Sequence, residues 1–263
     1  MMSDDLFENL APKPGEALDP VELARRDLKK NLPRRFWKEA SLKARDGVHY
    51  LELDGRPAFT PARKPLAFAD AGLAEAIRAE WDGVGEFVDP TQMPLTRLVN
   101  SALDGVANEM EAVTDEIAKY AGSDLLCYRT GDPARLAALQ TAEWDPLIDW
   151  AREALGARFN LAEGVMFVDQ PDGTVAAVRN HIARETSPLK LAALHVMTTL
   201  TGSVLLALAV QCGRLAPEEA WALAHLDEDY QMEVWGQDEE ALARRAQRWR
   251  EMEAAALIAR IAE

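Results

Sequence analysis

The chain has 263 residues and a mass of 29.0 kDa, which is enough to bury a hydrophobic core in one large domain or two modest ones. Charged residues make up 28% and hydrophobic residues 48%, the composition of a globular protein and not of a disordered one. The formal net charge of −15 repels phosphate backbones and anionic lipid head groups, so it disfavours nucleic-acid binding and peripheral membrane attachment.

The first 33 residues are predicted to form an N-terminal tail followed by a short helix. Residues 1–18 carry two prolines and a glycine and show no apolar period. Asp19 is a suitable N-cap, Pro20 fits the first position of a helix, and Glu22 completes the spacing of a capping box. The acidic start lacks the features of a secretory signal peptide or a mitochondrial presequence, so we expect a cytoplasmic protein.

Residues 34–69 are predicted to form a small antiparallel β unit. Two runs of partly alternating polar and apolar residues, 36–43 and 48–53, are separated by Asp46 and Gly47. A second Asp-Gly pair follows the second run. An Asp-Gly pair between alternating runs is a signal for a β-hairpin, so the strands of this unit are expected to be antiparallel.

The segment that follows completes a first domain, which is predicted to span 34–92. A helix is predicted to begin at Asp70, because Leu73, Ile77 and Trp81 follow with the spacing of one helix face. The sequence therefore predicts a small N-terminal domain that combines antiparallel strands with a helix.

The rest of the chain, from 93 to 263, is predicted to be an all-α domain. Its apolar residues recur with helical spacing, and one brief extended stretch is predicted at Val165–Val168. Helices are predicted from Pro94 and over about 110–121, 133–140, 144–155, 191–213, 217–235 and 237–262. The predicted apolar faces of the last two helices are Leu223, Leu226, Tyr230 and Val234, and Leu242, Ala246, Trp249, Met252 and Ala256. The fold class is therefore predicted to be α+β, with a small antiparallel β-rich domain before a larger all-α domain.

One segment of the helical part, Leu191–Gly213, contains no Asp, Glu, Lys or Arg and is long enough to span a membrane. Polar residues such as His195, Thr198 and Gln211 interrupt it, and no basic cluster lies beside it. The segment is therefore predicted to be a fully buried central helix. A membrane-associated factor that uses this segment is the alternative interpretation.

The sequence contains few groups that could carry catalysis. The motifs of serine hydrolases, P-loop proteins, dinucleotide-binding folds and zinc proteases are absent, and Cys127 and Cys212 stand in no metal-binding or disulfide pattern. We therefore predict that the protein is not an enzyme and has no catalytic residue, no cofactor and no metal. The alternative is a helical enzyme or metal-binding protein that uses the acidic segment 225–233, where His225 and Glu228 are three residues apart. A metal site in a bundle would need a second such pair, which the sequence does not supply.

The most informative cluster runs from Trp235 to Ala241 and contains Asp238, Glu239 and Glu240. A structural interpretation is that a glycine ends one helix and that acids in the first turn of the next helix favour its dipole. A functional interpretation is that an exposed tryptophan beside a row of carboxylates offers a partner an apolar anchor with charged flanks.

From about Arg34 to its C-terminus, the chain resembles the Atp12 family of F1 assembly factors. The resemblance depends on several short motifs that occur in order with similar spacing. These are Arg35-Phe36-Trp37-Lys38, Thr60-Pro61 with Lys64-Pro65-Leu66, Glu80-Trp81-Asp82, Met93-Pro94-Leu95-Thr96, Tyr120-Ala121, Asp124 to Arg129, Trp144-Asp145-Pro146-Leu147 with Trp150, Leu200-Thr201-Gly202-Ser203, Asp227-Glu228, Gln231, and Trp235 to Glu240.

The resemblance implies a chaperone that binds the free α subunit of the F1 ATP synthase and shields its β-facing surface until the β subunit takes its place. It also implies the α+β architecture predicted above. The family's acidic position near the last helix matches Glu240, with Glu239 beside it. The expected partner-binding residues are Glu240, Glu239, Asp238, Trp235 and Glu228.

The remaining expectations concern surroundings and assembly. Eukaryotic members of the family carry a mitochondrial presequence, and its absence here points to a bacterial, cytoplasmic member. We expect no nucleic-acid partner, no stable membrane insertion, and a monomer when the protein is free.

Overall fold

The computed structural model describes residues 32–164, 166–171 and 173–261, in which a small β-rich region precedes a larger helical region. The predicted tail, the predicted helix at Asp19 and residue Val165 lie outside the described residues. The predicted fold class is confirmed. The division into two domains at residue 93 stays a prediction.

The β-rich region is built on one antiparallel hairpin. Ala40 pairs with Leu53, and the register continues to the pair of Arg45 and Val48 beside the turn. Both central turn residues have positive φ, which is the reason that Asp46-Gly47 predicts this hairpin correctly. The strands are β1 (Ala40–Arg45), β2 (Val48–Leu53), β3 (Arg56–Pro57) and β4 (Ala67–Phe68), and both short strands pair with β2.

Helix α1 (Ala71–Asp82) packs on this sheet, as the sequence predicts. The carboxylate of Asp70 caps it by accepting a 2.7 Å hydrogen bond from the backbone N–H of Leu73. Leu73 and Ile77 are buried, whereas Trp81 is partly buried and lies with its ring centre 5.0 Å from that of Trp37. The helix is therefore held by its predicted apolar face.

The helical region surrounds a central helix, α6, that packs against α2, α3, α7 and α10. Its helices are α2 (Pro94–Asp104), α3 (Met110–Lys119), α4 (Ala134–Trp150), α5 (Thr174–Ile182), α6 (Pro188–Thr201), α7 (Val204–Gln211), α8 (Pro217–Ala224), α9 (Leu226–Trp235) and α10 (Glu239–Ala259). Two short parallel strands, β5 (Tyr128–Arg129) and β6 (Ala162–Glu163), join it. Residues 166–168, where the sequence predicts an extended stretch, lie in no helix or strand.

The predicted central helix over residues 191–213 lies mostly in the interior, but it is two helices and not one, and Thr199, Cys212 and Gly213 are exposed. Helix α6 ends at Gly202, which has φ of 68°, and the Ser203 hydroxyl starts α7 by accepting a 3.1 Å bond from the N–H of Leu206. Every residue from Val204 to Val210 is buried. None of the helices formed by the described residues is both long enough and apolar enough to cross a membrane.

Two further helix boundaries differ from the sequence-based expectation. The predicted helices over 133–140 and 144–155 are a single helix, α4, which continues through Pro146 into a wider turn at Ala151–Leu155. The predicted helix over 217–235 is instead interrupted at His225, where α8 ends and α9 begins. At His225 the backbone N–H bonds the carbonyl of Ala222, and the carbonyl oxygen of Trp221 lies 2.8 Å from the His225 Nδ1.

The predicted apolar faces of the last helices are only partly buried. Helix α9 buries no residue, and Val234 in its predicted face is 49% exposed. In α10, Met252 and Ala256 are buried, but Ala246 in the first half is exposed. The first half of α10 and all of α9 therefore lie at the edge of the core.

Helix α2 is held at both ends by the β-rich region. At its start, the Glu80 carboxylate accepts bonds of 2.9 Å from Leu95 N–H and 2.8 Å from Thr96 N–H. At its end, the Asp104 carboxylate accepts a 2.7 Å bond from the hydroxyl of Thr60. Burial raises the pKa of Glu80, although its bonds to Thr96 and Leu95 oppose that rise.

Candidate functional site

Four of the predicted partner-binding residues, Trp235, Asp238, Glu239 and Glu240, lie at the corner where α9 ends and α10 begins, and Glu228 lies in the first turn of α9. Gly236 has φ of 93° and lets the chain leave α9 in a direction that other residues rarely adopt. Trp235, the last residue of α9, is 85% exposed, the highest value among the large hydrophobic side chains of the described residues. The corner therefore presents an indole ring to solvent.

The acids that follow the tryptophan have different local roles. Asp238 is the N-cap of α10, and its carboxylate accepts a 2.9 Å bond from the N–H of Glu240. Glu240 is itself exposed and forms a 2.5 Å ion pair with Arg244, one turn further along the helix. Glu239 is exposed in the first turn. The structural interpretation accounts for Asp238 as the cap and for Glu239 and Glu240 as acids of the first turn, and both of these glutamates are also exposed.

Helix α9 is attached to its neighbours by polar contacts. Asp227 accepts a 2.8 Å bond from the Gln140 side chain of α4, and Glu233 forms a 2.8 Å ion pair with Arg135 of the same helix. On the other side, Asp229 forms a two-bond ion pair with Arg245 of α10, which raises the pKa of Arg245. Three of the acids near the site therefore hold α9 in place.

A cleft of about 470 Å³ opens between α9 and the first half of α10. Glu228 lines it, together with Trp235 at the corner and Arg244 on the opposite side. The other lining residues are His225, Gln231, Met232, Gly236, Asp238, Ala241, Arg245 and Arg248. The cleft thus brings three of the predicted residues, Trp235, Asp238 and Glu228, to one place, whereas Glu239 and Glu240 do not line it.

His225, which the enzyme or metal-binding alternative uses, is engaged in the interior. Its Nδ1 lies 2.8 Å from the carbonyl oxygen of Trp221, and the two rings are 4.1 Å apart between centres. Burial lowers the pKa of His225. Within residues 32–164, 166–171 and 173–261, no group of three or more His, Cys, Asp or Glu side chains could hold a metal ion. The arrangement does not fit a metal centre.

A second depression, of about 300 Å³, lies between α2, α3, α6 and α10. Leu98, Val106, Val113 and Val196 give it an apolar floor, and the rim carries an ion pair of 3.3 Å between Arg97 and Glu251. No sequence pattern indicates this groove, because α6 and α10 are distant in the chain from α2 and α3.

Similarity to known proteins extends over both regions of the fold. The family model of the ATP12 chaperone protein matches residues 34–152. Over 220 residues the chain is 28% identical to the mitochondrial protein atp12 of Schizosaccharomyces pombe. This match covers 79% of this chain and 75% of that protein. The crystal structure of Atp12 from Paracoccus denitrificans superposes with a TM-score of 0.77 and 41% identity, over 86% of this chain and 97% of that one. The crystal structure of the Atu1473 protein from Agrobacterium tumefaciens superposes with a TM-score of 0.81 and 49% sequence identity. The match covers 97% of this chain and 94% of that one.

Proposed function

The chain belongs to the ATP12 chaperone family, and on that premise we propose that it is an assembly chaperone that holds the free α subunit of the F1 ATP synthase until a β subunit replaces it. In this proposal the protein has no turnover and needs no cofactor or metal. It acts in a bacterial cytoplasm, and it is a monomer when free.

The physical requirement for such a chaperone concerns the unassembled client. A subunit that packs against a neighbour in its complex exposes that apolar face when it is alone, and a large apolar face in water leads to aggregation. The chaperone must cover the face and still be displaced when the correct neighbour arrives. A modest interface with an apolar anchor and charged flanks meets both conditions.

The observation that carries the proposal at the level of residues is the exposure of Trp235. A buried tryptophan would contribute to the core, whereas an indole that is 85% exposed contributes little to folding. Tryptophan is also among the residues most enriched at energetically dominant positions of interfaces. Trp235 is therefore proposed as the apolar anchor for the α subunit.

The acids around this anchor are proposed to have two roles. Glu228 lines the cleft, and Glu239 and Glu240 stand exposed at its edge, so these three can meet Lys or Arg of the client. Asp238 is also part of the proposed surface, but its carboxylate already caps α10. Binding to Glu240 would exchange its ion pair with Arg244 for one with the client, which favours a reversible contact.

The test is co-expression with the isolated α subunit in the absence of β. We expect the wild-type protein to keep α soluble and to co-purify with it, and Trp235→Ala to lose most of this activity while it keeps a normal melting temperature. Leu257→Ala, which removes a partly exposed apolar side chain from the far end of α10, is the matched control and should behave as wild type. Failure of the wild-type protein to retain α would refute the proposed function.

A further inference from the structure

The groove between α2, α3, α6 and α10 has a floor of aliphatic side chains that the function proposed above does not use. Leu98 is buried, and Val106, Val113 and Val196 are partly buried where they pack against the core. The volume of about 300 Å³ is at the lower limit of pockets that hold small molecules. The groove therefore suits a single side chain of a partner better than it suits a cofactor.

The charges on the rim of this groove are unequally compensated. The titratable side chains that line it are Arg97, Glu116, His195 and Glu251. Arg97 donates a 3.3 Å bond to Glu251, so these two opposite charges cancel. Glu116 is 62% exposed, and its Oε1 lies 3.9 Å from the Nε2 of His195, which is longer than a hydrogen bond. With His195 neutral, the lining therefore carries one net negative charge, and Glu116 supplies it.

The charges that neighbour Glu116 in α3 do not neutralise it. Asp115 forms a 2.5 Å ion pair with Arg179, and Glu111 lies 3.4 Å from the same guanidinium. Lys119 is exposed at the end of the helix and forms no ion pair with Glu116 among the residues that the structure describes. The carboxylate of Glu116 is therefore available to a cation from outside the chain.

An aliphatic floor beside an uncompensated carboxylate matches the side chain of lysine or arginine. Such a side chain lays its methylene stem along apolar surface and keeps its cationic head at a polar edge. A carboxylate of a partner is disfavoured here, because it would face Glu116 and would have to separate Arg97 from Glu251. An uncharged apolar side chain would cover the floor and leave Glu116 without a counter-ion.

The groove is close to the proposed client site along α10 and α6. Glu251 follows Arg244, which lines the cleft between α9 and α10, by seven residues. Seven residues are about two helical turns, so the two side chains leave one side of α10 about 10 Å apart. Arg248 of the cleft donates a 2.7 Å bond to the carbonyl of Leu200 in α6, the helix that supplies Val196 to the floor. One client surface can therefore span the cleft and the groove.

We propose that this groove takes one lysine or arginine side chain of the client of the proposed function, with the methylene stem on Val113 and Val196 and the cation at Glu116. The groove would thus be a second contact with the client, separate from the apolar anchor Trp235. This proposal rests on the proposed function, and the affinity of full-length variants for the isolated α subunit tests it.

The first variant removes the charge of the groove. Glu116→Gln keeps the size of the side chain, so the affinity for α should fall about fivefold at about 0.05 M NaCl. The difference from wild type should nearly vanish at about 1 M NaCl, because salt screens the attraction that the variant lacks. Glu111→Gln is the matched control, since Glu111 is an exposed glutamate of the same helix that does not line the groove. It should bind α as the wild type does at both salt concentrations.

The second variant covers the floor. Ser101 is exposed and lines the groove, so Ser101→Trp should keep a melting temperature near that of the wild type and lower the affinity for α by about tenfold or more. Ala112→Trp places the same ring at an exposed position of α3 outside the groove and should leave the affinity unchanged.

The outcomes separate this proposal from the proposed function. If wild type binds α and neither Glu116→Gln nor Ser101→Trp weakens binding, the groove proposal is wrong and the proposed function stands. If only Ser101→Trp weakens binding, the cationic occupant is refuted, and if only Glu116→Gln does so, the acid acts outside the groove and the proposal is again wrong. If wild type does not bind α at all, both proposals are wrong.

Discussion

Helices α7 and α9 differ in how they are attached to the fold, and the difference separates residues that maintain the structure from residues available for a partner. Every residue of α7 from Val204 to Val210 is buried, whereas α9 buries none. Helix α9 is attached by the contacts of Asp227, Asp229 and Glu233 with side chains of α4 and α10, and its Leu226 packs against the core while only partly buried. A substitution in α7 should therefore unfold the protein, while one at the exposed end of α9 should change binding and leave the fold intact.

The largest effect is expected from Leu205→Asp in α7. Leu205 is fully buried, and an unpaired carboxylate at its position should lower the free energy of unfolding by about 3–5 kcal/mol. Leu257→Asp near the C-terminal end of α10 is the control at a partly exposed position, for which a smaller loss of about 1–2 kcal/mol is expected. Denaturant unfolding of both variants measures the difference. Equal stabilities would mean that α7 does not form the interior of the protein.

The next effect is a dependence of stability on pH that originates beside α7. Asp124 is buried and accepts bonds from the N–H groups of Leu126 at 3.0 Å and Leu205 at 3.1 Å, and desolvation nevertheless raises its pKa to about 6. Because this pKa lies above the ordinary value of 3.8, the folded state binds the extra proton between about pH 4 and pH 6. The free energy of unfolding should therefore decrease as pH rises through this window, by on the order of 1–3 kcal/mol.

The variant Asp124→Asn isolates this contribution. Its side-chain amide cannot accept from both N–H groups, so the variant should be less stable than wild type overall, and the decrease between pH 4 and pH 6 should be smaller. Urea unfolding at a series of pH values measures both quantities. An identical pH slope in the two proteins would show that Asp124 does not titrate in this window.

A smaller effect concerns the attachment of α9 itself. Its ion pairs, Asp229 with Arg245 and Glu233 with Arg135, are partly or largely exposed, so salt should weaken them. We expect hydrogen exchange of the α9 amides to become faster when NaCl is raised from about 0.05 M to about 1 M, while exchange in α7 stays the same. Unchanged exchange in α9 would mean that contacts other than charge pairs hold it.

The smallest effect on stability, and a large one on binding, is expected from the double charge reversal Glu239→Lys, Glu240→Lys. If these acids serve only the dipole of α10, the change costs about 0.3–1 kcal/mol, or somewhat more after reversal of charge, and the folded variant keeps α soluble. If they contact the client, the variant melts near the wild-type temperature and fails to keep α soluble, which is the outcome we expect. Full protection of α by the folded variant would remove both acids from the site.

The sequence predicts the parts of the fold that depend on neighbouring residues. The hairpin at Asp46-Gly47, the helix after Asp70 and the end of α9 at Gly236 each follow from backbone preferences that act over a few positions. The break between α6 and α7 has a local signal as well, since Gly202 before the N-cap Ser203 ends one helix and starts another. The long apolar run conceals that signal.

The attachment of α9 could not be predicted in the same way. Its apolar residues suggest a buried face, but its partners Gln140, Arg135 and Arg245 come from two other helices, two of them more than eighty residues away in the chain. For the candidate site, the sequence places Trp235 beside three acids, and the structure adds that the indole is exposed and that Asp238 is a cap. The exposure of Met166 and Phe167 is indicated by no sequence motif.

The way in which α2 is held has a consequence for how the chain can be divided. The Glu80 carboxylate accepts bonds from the first N–H groups of α2, and the Thr60 hydroxyl donates to Asp104, the last residue of α2. Both ends of α2 are therefore held by residues of the β-rich region. A fragment that starts at residue 93 would begin with a helix whose first N–H groups have lost their acceptor. The β-rich region and the helical region are therefore not independent modules, and recombination between relatives would keep these contacts only if Thr60, Glu80 and Asp104 were inherited together.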